Sequence, residues 1–310
     1  MTISANLVKE LREKTNAGMM DCKKALTETN GDFEAAVDWL RKKGLSSAAK
    51  KSSRAAAKGL VALQVEQDTA VMIELNSETD FVAMNDKFQA LVKNIVTLAL
   101  KTDGSVDSIL AQAYPNTGRS VKDEIIEHVA VIGENMNLRR SVKLSVNNGV
   151  IASYVHNTVV DNLGTIGVLV VLESNATDKA KLNTLGRQIA MHIAASKPEA
   201  IRVEEIDPAL IERERALHAD RFRTAGKPEN MIDKMVEGAL RKFYEESALL
   251  EQPFVMDGKT KVAEVVAQVA KELNANIEIK AFKQFTLGEG VEQEVSNFAD
   301  EVAAIVQGNN

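Results

Sequence analysis

Residues 61–101, VALQVEQDTAVMIELNSETDFVAMNDKFQALVKNIVTLALK, change their apolar period once, and that change sets the fold class. VALQVEQ and AVMIEL alternate with period two and read as strands joined at Asp68 in a hairpin. After the polar stretch SETDFVAMND (77–86), KFQALVKNIVTLALK takes a helical period. Phe88, Leu91, Val92, Ile95, Val96 and Ala99 then share one helix face. An antiparallel hairpin followed by a helix that covers it is an α+β unit.

The same unit recurs downstream. A helix over about 120–134 turns Val121, Ile125, Val129 and Ile132 inward. SVKLSV, a turn at Asn147-Asn148-Gly149, VIASYVH and IGVLVVLES then suggest a three-stranded antiparallel meander. A helix over about 178–195 follows, with Leu182, Leu185, Ile189 and Ile193 on its apolar face. Two successive hairpin-plus-helix units predict paired α+β subdomains with antiparallel sheets, a weak internal duplication rather than a solenoid.

Residues 4–43 read as three short helices. Leu7, Val8 and Leu11 line the first, and Gly18 breaks the pattern. Met19, Met20 and Leu26 mark the second, while Asn30-Gly31-Asp32 supplies a turn and a capping aspartate. Phe33, Val37 and Leu40 line the third, which Gly44 is expected to end. The stretch 41–58, RKKGLSSAAKKSSRAAAK, holds seven basic residues and no acid. It reads either as a solvated, partly helical linker or as a contact for an acidic surface or RNA.

Over 207–250 two charged helical stretches flank Gly226-Lys227-Pro228. Ile232, Val236, Ala239 and Phe243 recur at intervals of four, three and four, the narrow seam of an antiparallel coiled-coil hairpin. A helix near 259–273, the strand IEIKAFKQFTL (277–287) and a C-terminal helix over about 292–306 complete the chain. The expected domains are 1–54, 55–140, 141–290 with the hairpin inserted at about 207–250, and 291–310.

Composition narrows the function. Of 310 residues 45% are apolar but only 4% aromatic, so the core must be aliphatic. The net charge of -6 argues against general affinity for nucleic acid. One cysteine, Cys22, supports neither an internal disulfide nor most of a zinc site, which fits a reducing cytoplasm. The opening MTISANLVKELREKT has no basic stretch followed by an apolar run, so no secretory signal is expected. No apolar stretch approaches the eighteen residues of a membrane span.

An enzyme is not expected. GxxxxGK followed by Ser or Thr, GxGxxG, HExxH, GxSxG and CxxC are all missing from the sequence. Gly288-Glu289-Gly290 reads as a turn rather than a phosphate cradle. His128, His156, His192 and His218 are scattered, with no pair at helical spacing to hold a metal, and His192 in IAMHIAAS reads as a core position. Neither metal nor cofactor is called for.

Six stretches carry a resemblance: LVKELREKTNAGMMDCKKALTETNGD (7–32), SETDFVAMND (77–86), VIGENMNLRR (131–140), IAMHIAASKP (189–198), KMVEG (234–238) and QPFVM (252–256). In this order and spacing they resemble the elongation factor Ts family of bacterial translation factors. The resemblance implies an N-terminal three-helix module similar to ubiquitin-associated domains, two core subdomains, a coiled-coil hairpin and a C-terminal helical piece. It also implies a guanine-nucleotide exchange factor that binds elongation factor Tu and speeds release of GDP and magnesium, without binding nucleotide itself.

By the same resemblance Thr79, Asp80, Phe81 and Val82 form the central element. Phe81 wedges between helices of the partner near its magnesium site, and Asp80 helps position the contact. From the residues alone Phe81 is open to two readings, a core staple at a helix entry or an exposed tip on a polar loop. Met19, Met20 and Lys23 lie in the family's docking segment, although a Met doublet also suits core packing. Ile132, Gly133 and His156 match contact positions. Asn157 and the longer loop TVVDNLG stand where a glycine usually follows that histidine. Val255 and Met256 match a further contact, with an edge-strand core pair as the alternative. The hairpin's charge pattern leaves self-association through it, or another partner, open.

Overall fold

The computed structural model describes residues 3–15 and 17–291. The helix expected over 292–306 lies outside them. Three helices come first, α1 (Ala5–Thr15), α2 (Met19–Glu28) and α3 (Phe33–Lys51). Val8, Leu11, Cys22, Ala25, Leu26, Ala36 and Leu40 form their shared core. Asp32 caps α3 by accepting from the Ala35 amide at 3.0 Å.

Next come β1 (Lys58–Glu66), β2 (Thr69–Ser77), α4 (Asp86–Ala99), α5 (Val106–Leu110), α6 (Val121–Ile132) and β3 (Met136–Ser145). They are followed by β4 (Gly149–His156), β5 (Leu163–Gly164), β6 (Ile166–Ser174) and α7 (Lys179–Ser196). The charged pair α8 (Pro208–Thr224) and α9 (Glu229–Ser247), then α10 (Val262–Glu272) and β7 (Ile277–Thr286), complete the order.

The strands form two antiparallel sheets, ordered β3-β2-β1-β5 and β4-β6-β7. Side-chain alternation assigns each face a partner. Leu60, Ala62, Val71, Ile73 and Leu75 turn outward onto α4 and α6, joining Phe88, Leu91, Val92, Ile95 and Val129. Val61, Leu63, Ala70 and Met72 turn the other way and meet Ile151, Leu169, Val171 and Phe285 of the second sheet. Val168, Val170 and Leu172 cover the far side with Leu182, Leu185 and Ile189 of α7. The result is four layers: helix, sheet, sheet, helix. Central strands buried on both faces explain the near-continuous apolar runs AVMIEL and IGVLVVL.

Three expectations need correction. The meander of SVKLSV, VIASYVH and IGVLVVLES is split, because β3 pairs with β2 from Thr69↔Ser145 to Ser77↔Met136, while β4 pairs with β6. The turn at Asn147-Asn148-Gly149 therefore carries the chain from one sheet to the other. The domain boundary expected at residue 140 falls inside β3. Gly44 does not end the third helix, since α3 runs on to Lys51. A Cβ on Gly44 would stand 3.0 Å from the Ala130 Cβ, so its bare backbone is what lets α3 cross α6. Much of the basic stretch 41–58 is thereby helix docked on the core rather than a tether.

The helical hairpin is present as expected, with a shifted seam. Ile232, Val236 and Leu240 are buried against Ile211, Ala219 and Phe222. Leu240 takes the inward place expected for Ala239, and Phe243 packs at the hairpin base with Ala200, Ile206 and Ala248.

Candidate partner-binding surface

The chain between β2 and α4 doubles back in a short 3-10 turn, Val82–Met84. Val82 and Ala83 enter the first core, at 4% and 6% exposure. Phe81, immediately before them, is 83% exposed, and Met84 beyond them is 67% exposed. Of the two adjacent apolar residues, Val82 is thus the anchor and Phe81 the tip, which removes the staple reading for Phe81. Asn85 caps α4 by accepting from the Lys87 and Phe88 amides at 2.9 and 3.4 Å. The Gln89 side chain donates through Nε2 to the Ala83 carbonyl at 3.0 Å, closing the turn.

The upstream side of this loop is held by the link between α6 and β3. Gly133 ends α6 with φ 91°, the left-handed conformation that glycine adopts without steric cost. It swings Glu134 and Asn135 toward the β2 end. Glu134 accepts from the Thr79 amide at 2.9 Å and the Thr79 hydroxyl at 2.7 Å. In return the Asn135 amide donates to Glu78 at 2.6 Å. The Asn135 side chain donates to the Arg54 carbonyl at 2.8 Å, and Arg54 itself lies 3.5 Å from Glu78. These bonds join Glu78 and Thr79, which precede Asp80, Phe81 and Val82, to Glu134 and Asn135, which follow Ile132 and Gly133. Asp80 is exposed, and Ile132 is half-buried against the first core.

The other expected positions lie on different elements. Met19, Met20 and Lys23 occupy the start of α2 and all are exposed, so neither methionine is a core residue of the module. A cavity of about 240 Å³ separates this corner of the module from α6, lined by Lys14, Gly18, Arg41, Arg119, Glu127 and Ala130 among others. His156 is exposed at the end of β4, where its Nδ1 lies 2.9 Å from the Tyr154 hydroxyl. The following loop returns to the first sheet, its Leu163-Gly164 pairing with Ala62 and Val61 as β5.

Val255 and Met256 sit in a turn rather than an edge strand, and both are exposed. The turn is held beneath them. Phe254 is buried against His192, with ring centroids 5.8 Å apart, and its amide donates to the Thr260 carbonyl at 2.7 Å. His192 is fully buried, as expected of a core position. Its Nδ1 accepts from the Val255 amide at 3.1 Å and its Nε2 lies 2.8 Å from Gln252 Oε1. Accepting at Nδ1 leaves Nε2 as the protonated nitrogen of a neutral ring. Burial pushes its pKa below the ordinary 6.5, against the opposing pull of Gln252.

A buried charge cluster escaped the sequence reading. Glu74 of β2 is wholly buried between the sheets and accepts from Arg139, Arg140, Asn76 and the Gly288 amide. Burial raises its pKa, but the Gly288 and Asn76 hydrogen bonds and the Arg140 guanidinium outweigh that and hold it below the ordinary 4.5. Among the described residues no group of three or more His, Cys, Asp or Glu could hold a metal ion, and no helix is long and apolar enough to cross a membrane.

Comparison with known proteins gives this surface a context. A family model described as Elongation factor TS matches residues 78–289. An elongation factor Ts of Rhizobium etli (strain CIAT 652) is 57% identical over 306 residues, covering 99% of both chains. Those of Rhodospirillum centenum and Rhizobium meliloti (strain 1021) are 55% and 54% identical, over 98% and 99% of this chain. By class, then, this α+β chain is a translation elongation factor. It belongs to the elongation factor Ts family.

Proposed function

We propose that the protein is a guanine-nucleotide exchange factor that binds elongation factor Tu carrying GDP and promotes release of GDP and magnesium during translation elongation. The observation that carries this reading is Phe81, an 83% exposed phenylalanine on a loop fixed from both sides, in a chain of this family. Burying a phenylalanine contributes about 2–3 kcal/mol, enough to bias a switch element of a partner if the ring fits only the nucleotide-released form. Phe81 is the wedge and Asp80 positions it. Ile132 and Gly133 extend the contact alongside, while Met19, Met20 and Lys23 on the module, His156 on the second sheet, and Val255 and Met256 on their turn supply separate patches. In this reading the protein works in the cytoplasm, binds no nucleotide and carries out no covalent chemistry.

Contacts spread over several elements suit an exchange factor. Whatever factor this protein takes from GDP affinity, GDP must take from the affinity of the two proteins for each other. Equilibrium titration tests that reciprocity. Affinity for nucleotide-free elongation factor Tu should exceed affinity for the GDP form by at least about tenfold, within the usual range of coupling free energies. Equal affinities would leave a binding protein without exchange activity.

A further inference from the structure

We propose that Glu134 is the positioning residue that aims Phe81, by holding the amide and hydroxyl of Thr79 on its two carboxylate oxygens. The inference rests on the exchange reading above and adds a residue to that site. An 83% exposed ring has almost no packing of its own, so its direction is inherited from the backbone of residues 79–82. Downstream that backbone is fixed by the buried Val82 and Ala83 and by the Asn85 cap. Upstream it is fixed by Glu134, whose Oε1 and Oε2 take the Thr79 hydroxyl and amide at 2.7 and 2.9 Å.

A carboxylate suits this place for a chemical reason. The Thr79 amide and hydroxyl both donate here, and a carboxylate of this length accepts the two side by side with its charge behind each bond. A glutamine of the same size keeps both contacts only if its N–H donates to the Thr79 hydroxyl, and neither bond is then charge-assisted. The reciprocal bond from the Asn135 amide to Glu78 locks the same two loops in the opposite sense. Asn135 then reaches the Arg54 carbonyl, at the end of the segment leading from α3. The aim of the ring is thus tied to the module's docking as well as to the core.

The test compares Glu134→Gln, Thr79→Val, Thr79→Ser and the double variant Glu134→Gln/Thr79→Val in the full chain. Release of a fluorescent GDP from elongation factor Tu is followed against concentration of each. Glu134→Gln should lower the maximal release rate about tenfold, the scale of the charge assistance lost from the two bonds, while half-saturation moves less than about twofold. Thr79→Ser, which keeps both donors, should recover most of the rate that Thr79→Val loses. The double variant should be no slower than Glu134→Gln alone, because both changes break one interaction. A parent-level rate in Glu134→Gln, or a loss that follows the melting temperature, overturns the proposal.

Should Glu134→Gln fail to fold, Thr79→Val carries the same rate test. Fluorine NMR of para-fluorophenylalanine placed at position 81 reads the aim without any partner. One resonance in the parent that shifts or splits in Thr79→Val or Glu134→Gln supports the clamp, and an unchanged spectrum overturns it. If the parent itself fails to accelerate release, the exchange reading falls, and the NMR result still decides the clamp.

Discussion

Arg140 donates through Nε to Glu74 Oε2 at 2.5 Å, across the one irregularity in the β2–β3 ladder. Glu74 pairs with Arg140 and Leu75 with Leu138, which leaves Arg139 as the extra residue of a bulge. Two consecutive arginines, which a regular strand would send to opposite faces, thereby reach the same buried carboxylate. Arg140 also lies over the Phe285 ring at 4.3 Å and donates to the Thr286 carbonyl at 2.8 Å. The cluster thus joins the first sheet to β7 of the second.

Glu74→Ala should therefore cost more than an average surface change, about 2–3 kcal/mol, because it removes the buried carboxylate that two partly exposed guanidinium groups share, although Glu289 and Thr286 still hold them. Chemical denaturation measures it. The pH dependence follows from the direction of the pKa. The folded carboxyl titrates below the ordinary 4.5, so its stabilisation is full above that value and is lost as pH falls through the folded value. The parent should lose stability on acidification more steeply than Glu74→Ala.

His192 gives a second pH effect, at a milder pH. Its folded pKa lies below 6.5, so the unfolded chain takes up a proton there that the folded ring refuses. Stability should fall as pH drops below about 6.5, by up to ~1.4 kcal/mol per pH unit, and His192→Gln should flatten that slope. The Val255 amide loses its acceptor only when the folded ring takes up its proton, so protection of that amide should weaken at a lower pH, as pH falls through the depressed folded value.

Gly44→Leu should loosen the N-terminal module from the core. Its side chain would have to displace Ala130 of α6, which lies 3.0 Å from where the Cβ begins. Overpacking of this kind costs about 1–3 kcal/mol. Limited proteolysis between residues 52 and 57, where α3 has ended and β1 has not begun, should accelerate relative to the parent. Unchanged cleavage would mean that α3 and α6 do not depend on this contact.

The helices and most strands were legible because their faces are one-sided. Phe88, Leu91, Val92, Ile95, Val96 and Ala99 recur at helical spacing, and all six are buried. β3 was harder. Its start, MNLRRS, mixes polar and apolar residues because a bulge interrupts its alternation, so only its second half read as a strand. Gly44 misled for a related reason, since sequence does not distinguish a glycine that ends a helix from one that lets two helices touch. Glu74 was one acid among 44 acidic residues until the fold placed it between sheets.

At the candidate surface the resemblance singled out positions, but exposure was a property of the fold. Nothing in Phe81-Val82 as a dipeptide says which side chain turns inward. The polar loop before it gave a hint, and the anchoring partners Glu134 and Asn135 gave none, because they lie some 55 residues downstream of Thr79. Tertiary hydrogen bonds of that separation leave no local pattern.

Stopped-flow release of fluorescent GDP from elongation factor Tu, with the parent protein and with Phe81→Ala, is the most direct measurement. Exchange by a wedge requires strong acceleration by the parent and a loss of at least about tenfold in Phe81→Ala, the scale of one buried phenylalanine. Because Phe81 is 83% exposed, folding stability should change by less than about 0.5 kcal/mol. Parent-level acceleration by Phe81→Ala, or a loss of exchange matched by a loss of stability, would contradict the wedge.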